Sequence, residues 1–141
     1  MEQGSCHCGQ TAWEVKLIDK VHILCHCGVC QKLGGGPASL NQIVPKENFK
    51  LKKGNLKVYT YYGDSGKAVR CYFCPNCTSH AYHHQEIMGN HIVVRTMLLE
   101  SARSMPPGAE IFGKARLPWV KEVAQTFDTM PPDEPEPKSK L

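Results

Sequence analysis

The sequence contains no long hydrophobic run and no basic, apolar leader. No apolar stretch approaches the roughly 20 residues that a membrane-spanning helix needs, so we expect no membrane partner. The N-terminus, MEQGSCHCGQ, lacks the charged and apolar regions of a secretory signal. We therefore expect an intracellular, reducing location, where clustered cysteines usually bind metal rather than form disulfides.

The chain also has little net charge. Its 17 Lys and Arg residues against 13 Asp and Glu residues give a net charge of +4, which is too weak by itself to indicate a nucleic-acid partner. The one basic cluster contains a single aromatic residue, Phe49, and so lacks the interleaved aromatics of a base-stacking surface; we interpret the cluster as a solvated hairpin face. It consists of Lys46, Lys50, Lys52, Lys53 and Lys57. We do not expect nucleic acid among the partners.

The chain has no internal repeat, and its length of 141 residues with 41% apolar residues predicts a single domain. We place this domain at residues 1–129. The remainder, MPPDEPEPKSKL at 130–141, is rich in proline and alternating charge, which predicts a flexible tail. Its last residues, Ser139, Lys140 and Leu141, form the peroxisomal address S-K-L, which an import receptor reads. We therefore predict a peroxisomal location, with the cytoplasm as the alternative.

Short segments rich in Val, Ile, Tyr and Thr, separated by Gly, Pro and Asn turns, predict a mainly β fold with few short helices. In the first segment, Trp13, Val15 and Leu17 alternate onto one face. The best helix candidates are a short turn after Cys27 and a segment at 120–127. The predicted strands are residues 11–17, 38–44, 56–62, 68–73 and 91–96.

Four of the eight cysteines have the spacing of a closed metal site. Alternate residues of an extended strand share a face, so Cys6 and Cys8 converge while His7 points away. The C-P-N-C turn formed by residues 74–77 gathers two more sulfurs, as in a zinc knuckle. The natural set is then Cys6, Cys8, Cys74 and Cys77. Such a four-cysteine zinc is structural, and its binding contributes on the order of 10 kcal/mol to folding.

The stretch CHCGVC supplies three further sulfurs, from Cys25, Cys27 and Cys30, with His26 facing elsewhere. The fourth ligand is either Cys71 or a group from outside the chain. Cys71 falls in an apolar row of the predicted strand 68–73, which favours a place in the core. The three-cysteine site would then keep an open position, as catalytic zinc sites do.

The charge of a three-cysteine zinc narrows its chemistry. Three thiolates leave the site with a net charge of −1, so it acidifies water less than a three-histidine zinc does. It is better suited to an incoming soft thiolate, and glutathione is the abundant intracellular thiol. If Cys71 closes the site instead, the protein is a zinc-stabilised scaffold.

These motifs resemble the glutathione-dependent formaldehyde-activating enzyme family, whose domain is shared with centromere protein V. The matching stretches are GSCHCG (4–9), CHCGVCQKLGGGP (25–37), VPKENFKLKKG (44–54), FCPNC (73–77) and RLPW (116–119). One departure is Thr78, which stands where the family commonly has the glycine that a positive φ favours.

The resemblance implies a zinc-stabilised β-tent fold of the Mss4-like type with two zinc ions per chain. One would be structural, on Cys6, Cys8, Cys74 and Cys77, and one catalytic, on Cys25, Cys27 and Cys30. It also implies a carbon–sulfur lyase that joins glutathione to formaldehyde or a related carbonyl, or that cleaves a related adduct.

Further candidate residues follow from that chemistry. A proton donor near neutral pH would be a histidine, and the candidates are His22, His80, His83, His84 and His91. The carboxylates of glutathione call for a basic anchor. The candidates are Lys32, Lys46, Arg70, Arg95 and Arg116.

Two other functions compete with the lyase. One is a zinc-stabilised binding module without catalysis, like centromere protein V. The other is a thiol redox protein, because C-P-N-C resembles a redox C-x-x-C motif. A redox motif should open a helix after a strand, and the sequence predicts no helix there.

Overall fold

The computed structural model describes residues 1–132 of the chain. The described part contains short β-strands, one α-helix and several single-turn 3₁₀ segments. The strands and the helix, in chain order, are β1 (Glu2–Ser5), β2 (Ala12–Val15), β3 (His22–Cys25), α1 (Gly28–Gly34), β4 (Ser39–Pro45), β5 (Phe49–Lys53), β6 (Lys57–Tyr62), β7 (Ala68–Phe73), β8 (His80–Gln85), β9 (His91–Arg95) and β10 (Pro107–Ile111). The 3₁₀ segments are Lys46–Asn48, Glu86–Met88, Thr96–Leu98, Ala102–Ser104 and Gly113–Ala115. No helix in this part of the chain is both long and apolar enough to cross a membrane.

The chain forms two compact units. The first comprises Met1–His22 and Asn41–Pro106, and the second comprises Ile23–Leu40 and, of the described residues, 107–132. The first unit holds a three-stranded sheet in the order β1-β2-β5 and an antiparallel series in the order β4-β9-β8-β7-β6. The second unit holds α1 and the neighbouring strands β3 and β10.

The core of the first unit is made by alternate residues of its strands. Val15, Val44, Ile92 and Val94 are fully buried, and Leu99 completes the cluster. Burial of each such side chain stabilises the fold by about 1.5–3 kcal/mol. The alternation predicted at residues 11–17 is confirmed, because Trp13 and Val15 are buried and Leu17 packs against the cluster.

The mainly β class is confirmed, and so are all five predicted strands, which match β2, β4, β6, β7 and β9 to within two residues at each end. The helix expected after Cys27 is α1. The helix expected at 120–127 is wrong. That segment has no regular secondary structure, and its end pairs with β10 through the hydrogen bond from Phe127 N–H to Glu110 O at 2.8 Å. Tertiary pairing therefore decides its conformation.

Sequence reasoning missed half of the strands, namely β1, β3, β5, β8 and β10. β8 reads HAYHHQ and β5 reads FKLKK, and neither has the Val, Ile and Thr content on which strand prediction relies. Their neighbours in the sheet supply the stabilisation that composition does not show. The β-tent assignment stays a prediction of the family resemblance. The domain end at residue 129 also stays a prediction, and the S-K-L residues lie outside the described part of the chain.

Candidate metal centres

The first cysteine cluster lies in the first unit, where two loops meet. Cys6 and Cys8 follow β1, and Cys74 and Cys77 follow β7. The four Sγ atoms all lie within 4.8 Å of one another. Cys74 is fully buried and Cys8 is exposed, so the cluster sits at the surface with one side sealed by protein.

Both loops of this cluster end on a residue with left-handed backbone. In the first, Gly9 has φ 80° and its N–H donates to Cys6 O at 3.2 Å. In the second, Thr78 has φ 68° and its N–H donates to Cys74 O at 2.9 Å. These tight turns bring two sulfurs of each loop to the same side. Thr78 therefore adopts the conformation that suits glycine, at the position where the sequence departs from the family pattern.

Hydrogen bonds favour thiolate at two sulfurs of this cluster, Cys6 and Cys77. Hydrogen bonds from Asn76 and Gln10 also lower the pKa of Cys8, but desolvation and the two neighbouring sulfurs outweigh them and raise that pKa. The hydroxyl of Ser79 lies 3.2 Å from the Cys77 sulfur and lowers the pKa of Cys77 to about 5. Burial raises the pKa of Cys6, but hydrogen bonds, chiefly from the N–H of Thr11, outweigh burial and lower it to about 7. Deprotonated sulfurs at neutral pH are the form that binds a cation.

The spacing of the sulfurs fits zinc. A tetrahedral ion with Zn–S bonds of about 2.3 Å separates its sulfurs by about 3.8 Å. The Cys6 and Cys8 sulfurs are 3.6 Å apart, and the Cys8 and Cys74 sulfurs are 3.7 Å apart. Four soft donors would fill the tetrahedral coordination of a bound zinc ion and leave no position for a substrate.

The second cluster lies in the second unit and contains three sulfurs. Cys25 ends β3, Cys27 is the N-cap of α1 and Cys30 lies in its first turn. Their Sγ atoms lie within 4.8 Å of one another. The Cys30 N–H donates to the Cys27 sulfur at 3.3 Å, so the capping interaction of the helix also orients a potential ligand.

The surroundings of the second cluster oppose three free thiolates. Cys25 and Cys30 are buried beside Ile111, while Cys27 is half-buried. The adjacent sulfurs of Cys27 and Cys30, together with burial, raise the pKa of Cys25. Three close sulfurs ionise together only when a cation offsets their charge, and a soft divalent ion would do so. The half-buried Cys27 marks the side on which the cluster meets solvent.

A buried polar network lies next to this second cluster. His26, between two of the cysteines, is fully buried, and its Nε2 lies 2.7 Å from Glu110 Oε1. Glu110 is also fully buried and accepts hydrogen bonds from the N–H groups of Val123 and Ala124 at 2.7 and 3.0 Å. The guanidinium of Arg116 donates to the same carboxylate at 3.1 Å.

These donors keep Glu110 charged. Burial raises the pKa of Glu110, but hydrogen bonds from Val123, His26, Ala124 and Arg116 outweigh it and lower the pKa to about 2. The carboxylate thus fixes both the His26 ring and the segment from Arg116 to Ala124. The backbone N–H of His26 donates to Ile111 O at 3.1 Å. This bond holds the backbone between Cys25 and Cys27 to β10.

Comparison with known families identifies the chain. The family model described as glutathione-dependent formaldehyde-activating enzyme matches residues 1–115, which include both cysteine clusters, His26 and Glu110. The chain belongs to this family. The match ends one residue before the RLPW stretch, so the resemblance of that stretch to the family stays a prediction.

The fold also occurs in a solved structure. A crystal structure of a Rhodobacter sphaeroides protein, a structural genomics target, superimposes with a TM-score of 0.58 at 22% sequence identity. The match covers 74% of this chain and 97% of that protein. The similarity shows a shared fold.

The remaining cysteine of this family member lies outside both clusters. Cys71 is buried on β7 and belongs to neither group of closely spaced sulfurs among the described residues. Its neighbours across the sheet are Tyr59 on β6 and His83 on β8. Its place is therefore in the sheet of the first unit, as the apolar row of residues 68–73 predicts.

The candidate histidines all belong to the first unit, whereas the three cysteines of the second cluster belong to the second unit. His22 is buried with both ring nitrogens engaged, at 2.6 Å from Thr96 Oγ1 and 2.8 Å from Ala102 O. His80, His83 and His84 lie on β8, and His91 begins β9. The turn at 74–77 leads into β8 rather than into a helix, which removes the structural context of a redox C-x-x-C motif.

The basic candidates differ in their partners. Arg70 pairs with Glu86 at 3.8 Å, and Arg95 is buried with its guanidinium donating to Asn41 Oδ1 at 2.7 Å. Arg116 is held by Glu110, and Lys46 lies in a 3₁₀ segment of the first unit. Lys32 is exposed on α1, two residues after Cys30, and forms no ion pair with the described residues.

Glu110 was missed because its sequence context, PGAEI, gives no sign of a functional carboxylate. The one available signal is a charged residue in the second-to-last position of a short strand. Its partners come from residues 26, 116, 123 and 124, which only folding brings together.

Proposed function

We propose that this chain is a zinc-dependent carbon–sulfur lyase of the S-(hydroxymethyl)glutathione synthase type. Its substrates would be glutathione and formaldehyde or a related carbonyl, or the adduct of the two. Family membership supports the use of glutathione and formaldehyde. The observation that carries the finer proposal is that the second cluster offers three sulfurs, one fewer than the closed four-cysteine cluster.

The zinc ligands in this proposal are the seven clustered cysteines. Cys6, Cys8, Cys74 and Cys77 would hold a structural ion, and Cys25, Cys27 and Cys30 would hold the catalytic ion. When bound, the catalytic zinc supplies a soft electrophilic position that keeps a thiol deprotonated near neutral pH. In the reaction, a bond forms between the glutathione sulfur and the carbonyl carbon, and the thiol proton ends on the carbonyl oxygen. The reverse direction breaks that bond and returns thiol and carbonyl.

The other residues of the second unit position this site. Glu110 and His26 hold the backbone between Cys25 and Cys27, so they fix the directions of two sulfurs. Lys32 is the basic group that we propose for a glutathione carboxylate, because it is exposed on the helix that also carries Cys30. Arg116 is less suited, since Glu110 already offsets its charge.

The proposal is tested by calorimetric titration of glutathione into zinc-loaded protein. We expect binding by the wild type, loss of binding in Cys27→Ser, and retained binding in Cys71→Ala, whose cysteine lies in neither cluster. Lys32→Gln should weaken binding about tenfold, as expected for loss of about 1.4 kcal/mol from a charged hydrogen bond. Exchange spectroscopy by NMR would then measure whether the protein accelerates exchange between glutathione and its formaldehyde adduct. A protein that carries two zinc ions and binds no glutathione would instead be a zinc-stabilised binding module.

We also propose that the chain works in the peroxisome, delivered by an import receptor that reads Ser139, Lys140 and Leu141. The support is the S-K-L sequence formed by residues 139–141. A fluorescent protein fused to the N-terminus should accumulate in peroxisomes, and removal of Leu141 should leave the fusion in the cytoplasm. An unchanged distribution after that deletion would contradict the proposal.

A further inference from the structure

The edges of the sheets are protected in different ways. An edge strand exposes unpaired N–H and C=O groups, and proteins usually cover such edges or place charges on them. In the first unit, β1 is covered because Glu100 N–H donates to Gln3 O at 2.8 Å. In the second unit, β10 is covered by the extended segment at 125–129, beginning with the bond from Glu110 N–H to Gln125 O at 2.8 Å.

The other two edges in the first unit are β5 and β6. β5 carries Lys50, Lys52 and Lys53, the kind of charge that prevents pairing with another chain. β6, with the sequence KVYTYY, has one charged residue, Lys57, at its first position. No other strand or segment among residues 1–132 pairs with the outer side of β6.

The hydrogen-bonding direction along β6 follows from the turn that ends it. The N–H of Gly63 donates to the carbonyl of Lys67, the residue before β7, at 3.2 Å. Gly63 and Lys67 therefore continue the β6–β7 register as a hydrogen-bonded pair. In an antiparallel pair, hydrogen-bonded residues alternate along the strand. Tyr61, Tyr59 and Lys57 therefore turn their backbone groups toward β7. The residues whose N–H and C=O point outward are Val58, Thr60 and Tyr62.

Four of the six side chains of β6 are apolar or aromatic, and every residue of the strand except Tyr61 is exposed. Val58, Tyr59 and Tyr62 have exposed fractions of 44%, 50% and 72%. The rings of Tyr59 and Tyr61 stack with centroids 6.1 Å apart. A strand of this composition with an open edge is suited to accept another strand.

We propose that β6 is a self-association edge, through which two copies of this chain pair antiparallel about a two-fold axis at Thr60. This register brings together the outward-pointing residues of both copies. Thr60 then faces Thr60 of the other copy, and Val58 faces Tyr62. On the opposite side of the ribbon, Tyr59 faces Tyr61. Threonine pairs, aromatic pairs and pairs of an aromatic with a β-branched residue all stabilise cross-strand contacts.

The charge pattern of β6 is compatible with this register. Lys57 of one copy faces Gly63 of the other, so the two lysines lie at opposite ends of the shared ribbon. With about 3.4 Å per residue, six residues separate them by roughly 20 Å, beyond the screening length at physiological salt. The proposed dimer is also closed. Pairing occupies the outer side of β6 in both copies, so no free β6 edge is left for a third copy.

The test measures the mass of the zinc-loaded, full-length protein by sedimentation velocity over a series of protein concentrations. We expect the wild type to shift from one chain to two chains as concentration rises. Thr60→Lys places two lysines directly opposite each other and should keep the protein monomeric over the same series. Thr60→Val keeps the size and β-branching of the side chain and should dimerise like the wild type or better.

A charge-swap experiment separates the proposed register from other forms of association. Thr60→Glu alone should also be monomeric, and an equal mixture with Thr60→Lys should form mixed dimers, because lysine then faces glutamate. Thermal melts of each variant confirm folding, since position 60 also faces Arg70 on β7. A wild type that stays monomeric throughout, or dimers that Thr60→Lys leaves unchanged, would overturn the proposal, as would a mixture that stays monomeric.

Discussion

At the scale of single residues, the two loops of the four-cysteine cluster use different residues for the same backbone conformation. Gly9 and Thr78 both have positive φ, and the N–H of each donates to the carbonyl of the first cysteine in its loop, Cys6 or Cys74. A left-handed residue with a side chain costs roughly 1–2 kcal/mol more than glycine does, and β-branching adds to this. Thr78 therefore holds strain in a turn that carries two of the sulfurs.

Replacing Thr78 with glycine should relieve this strain. We expect Thr78→Gly to raise the free energy of unfolding by about 1 kcal/mol. The relieved backbone strain stabilises the folded protein, and the greater conformational entropy of glycine in the unfolded chain offsets part of that gain. Denaturant unfolding of the zinc-loaded protein measures it. The reverse change, Gly9→Ala, should lower the free energy by a similar amount, because a Cβ there meets no neighbour within 4 Å and only the backbone is strained. Equal stability of Thr78→Gly and the wild type would show that the turn is not strained.

Glu110 provides a second test at the residue scale. Its carboxylate accepts four hydrogen bonds while fully buried, so Glu110→Gln should lower the free energy of unfolding at neutral pH by on the order of 2 kcal/mol. Glu122→Gln is the matched control, since Glu122 is exposed and lies 3.8 Å from Arg116. We expect little change in that variant.

The same carboxylate gives a pH dependence of defined sign. The pKa of Glu110 is lowered from its ordinary 4.5 to about 2 in the folded protein, so the unfolded chain takes up the proton first as the pH falls. Its stabilisation is complete above pH 4.5 and is lost progressively between pH 4.5 and 2. Because acid also weakens metal binding, the quantity to measure is the difference between wild type and Glu110→Gln, which should narrow in this range. A constant difference would contradict the assigned pKa.

At the scale of elements, β1 packs so closely against β2 that position 4 accommodates only glycine. Gly4 pairs with Trp13, and a Cβ at Gly4 would collide with the buried Trp13 indole and with Leu99. Gly4→Ala should therefore lower the free energy of unfolding by about 1–3 kcal/mol through overpacking. Gly36→Ala is the control, because nothing lies within 4 Å of a Cβ there. Equal melting temperatures of the two variants would show that β1 can shift without cost.

At the scale of the whole molecule, the two cysteine clusters should differ in how they hold their ions. A chelator should remove zinc more readily from a three-sulfur site with an open position than from a closed four-sulfur site. We expect zinc release to a coloured chelator in two phases of equal size, and only the second phase should be accompanied by loss of β structure in circular dichroism. Cys27→Ser should remove the first phase, and Cys74→Ser should remove the second. A single phase of zinc release would contradict distinct sites.

The sequence by itself determined the mainly β class, the family and the grouping of the cysteines. The reason is that these depend on local spacing: alternate residues share a strand face, and a C-x-x-C turn gathers its sulfurs whatever surrounds it. The short helix predicted after Cys27 is α1, which begins at Gly28. The alternation of Trp13 and Val15 likewise needed only the period of a strand.

Only the tertiary structure decided features that join distant parts of the chain. The segment at 120–127 is not helical because the Glu110 carboxylate binds its N–H groups and the Glu110 backbone pairs with its end, which no local propensity shows. The strands β5 and β8 form because neighbouring strands offer hydrogen bonds, although their compositions do not favour strands. His26 is buried because a carboxylate 84 residues later meets its ring. Burial and sheet pairing depend on what the folded chain brings close, and a sequence read one segment at a time does not contain that information.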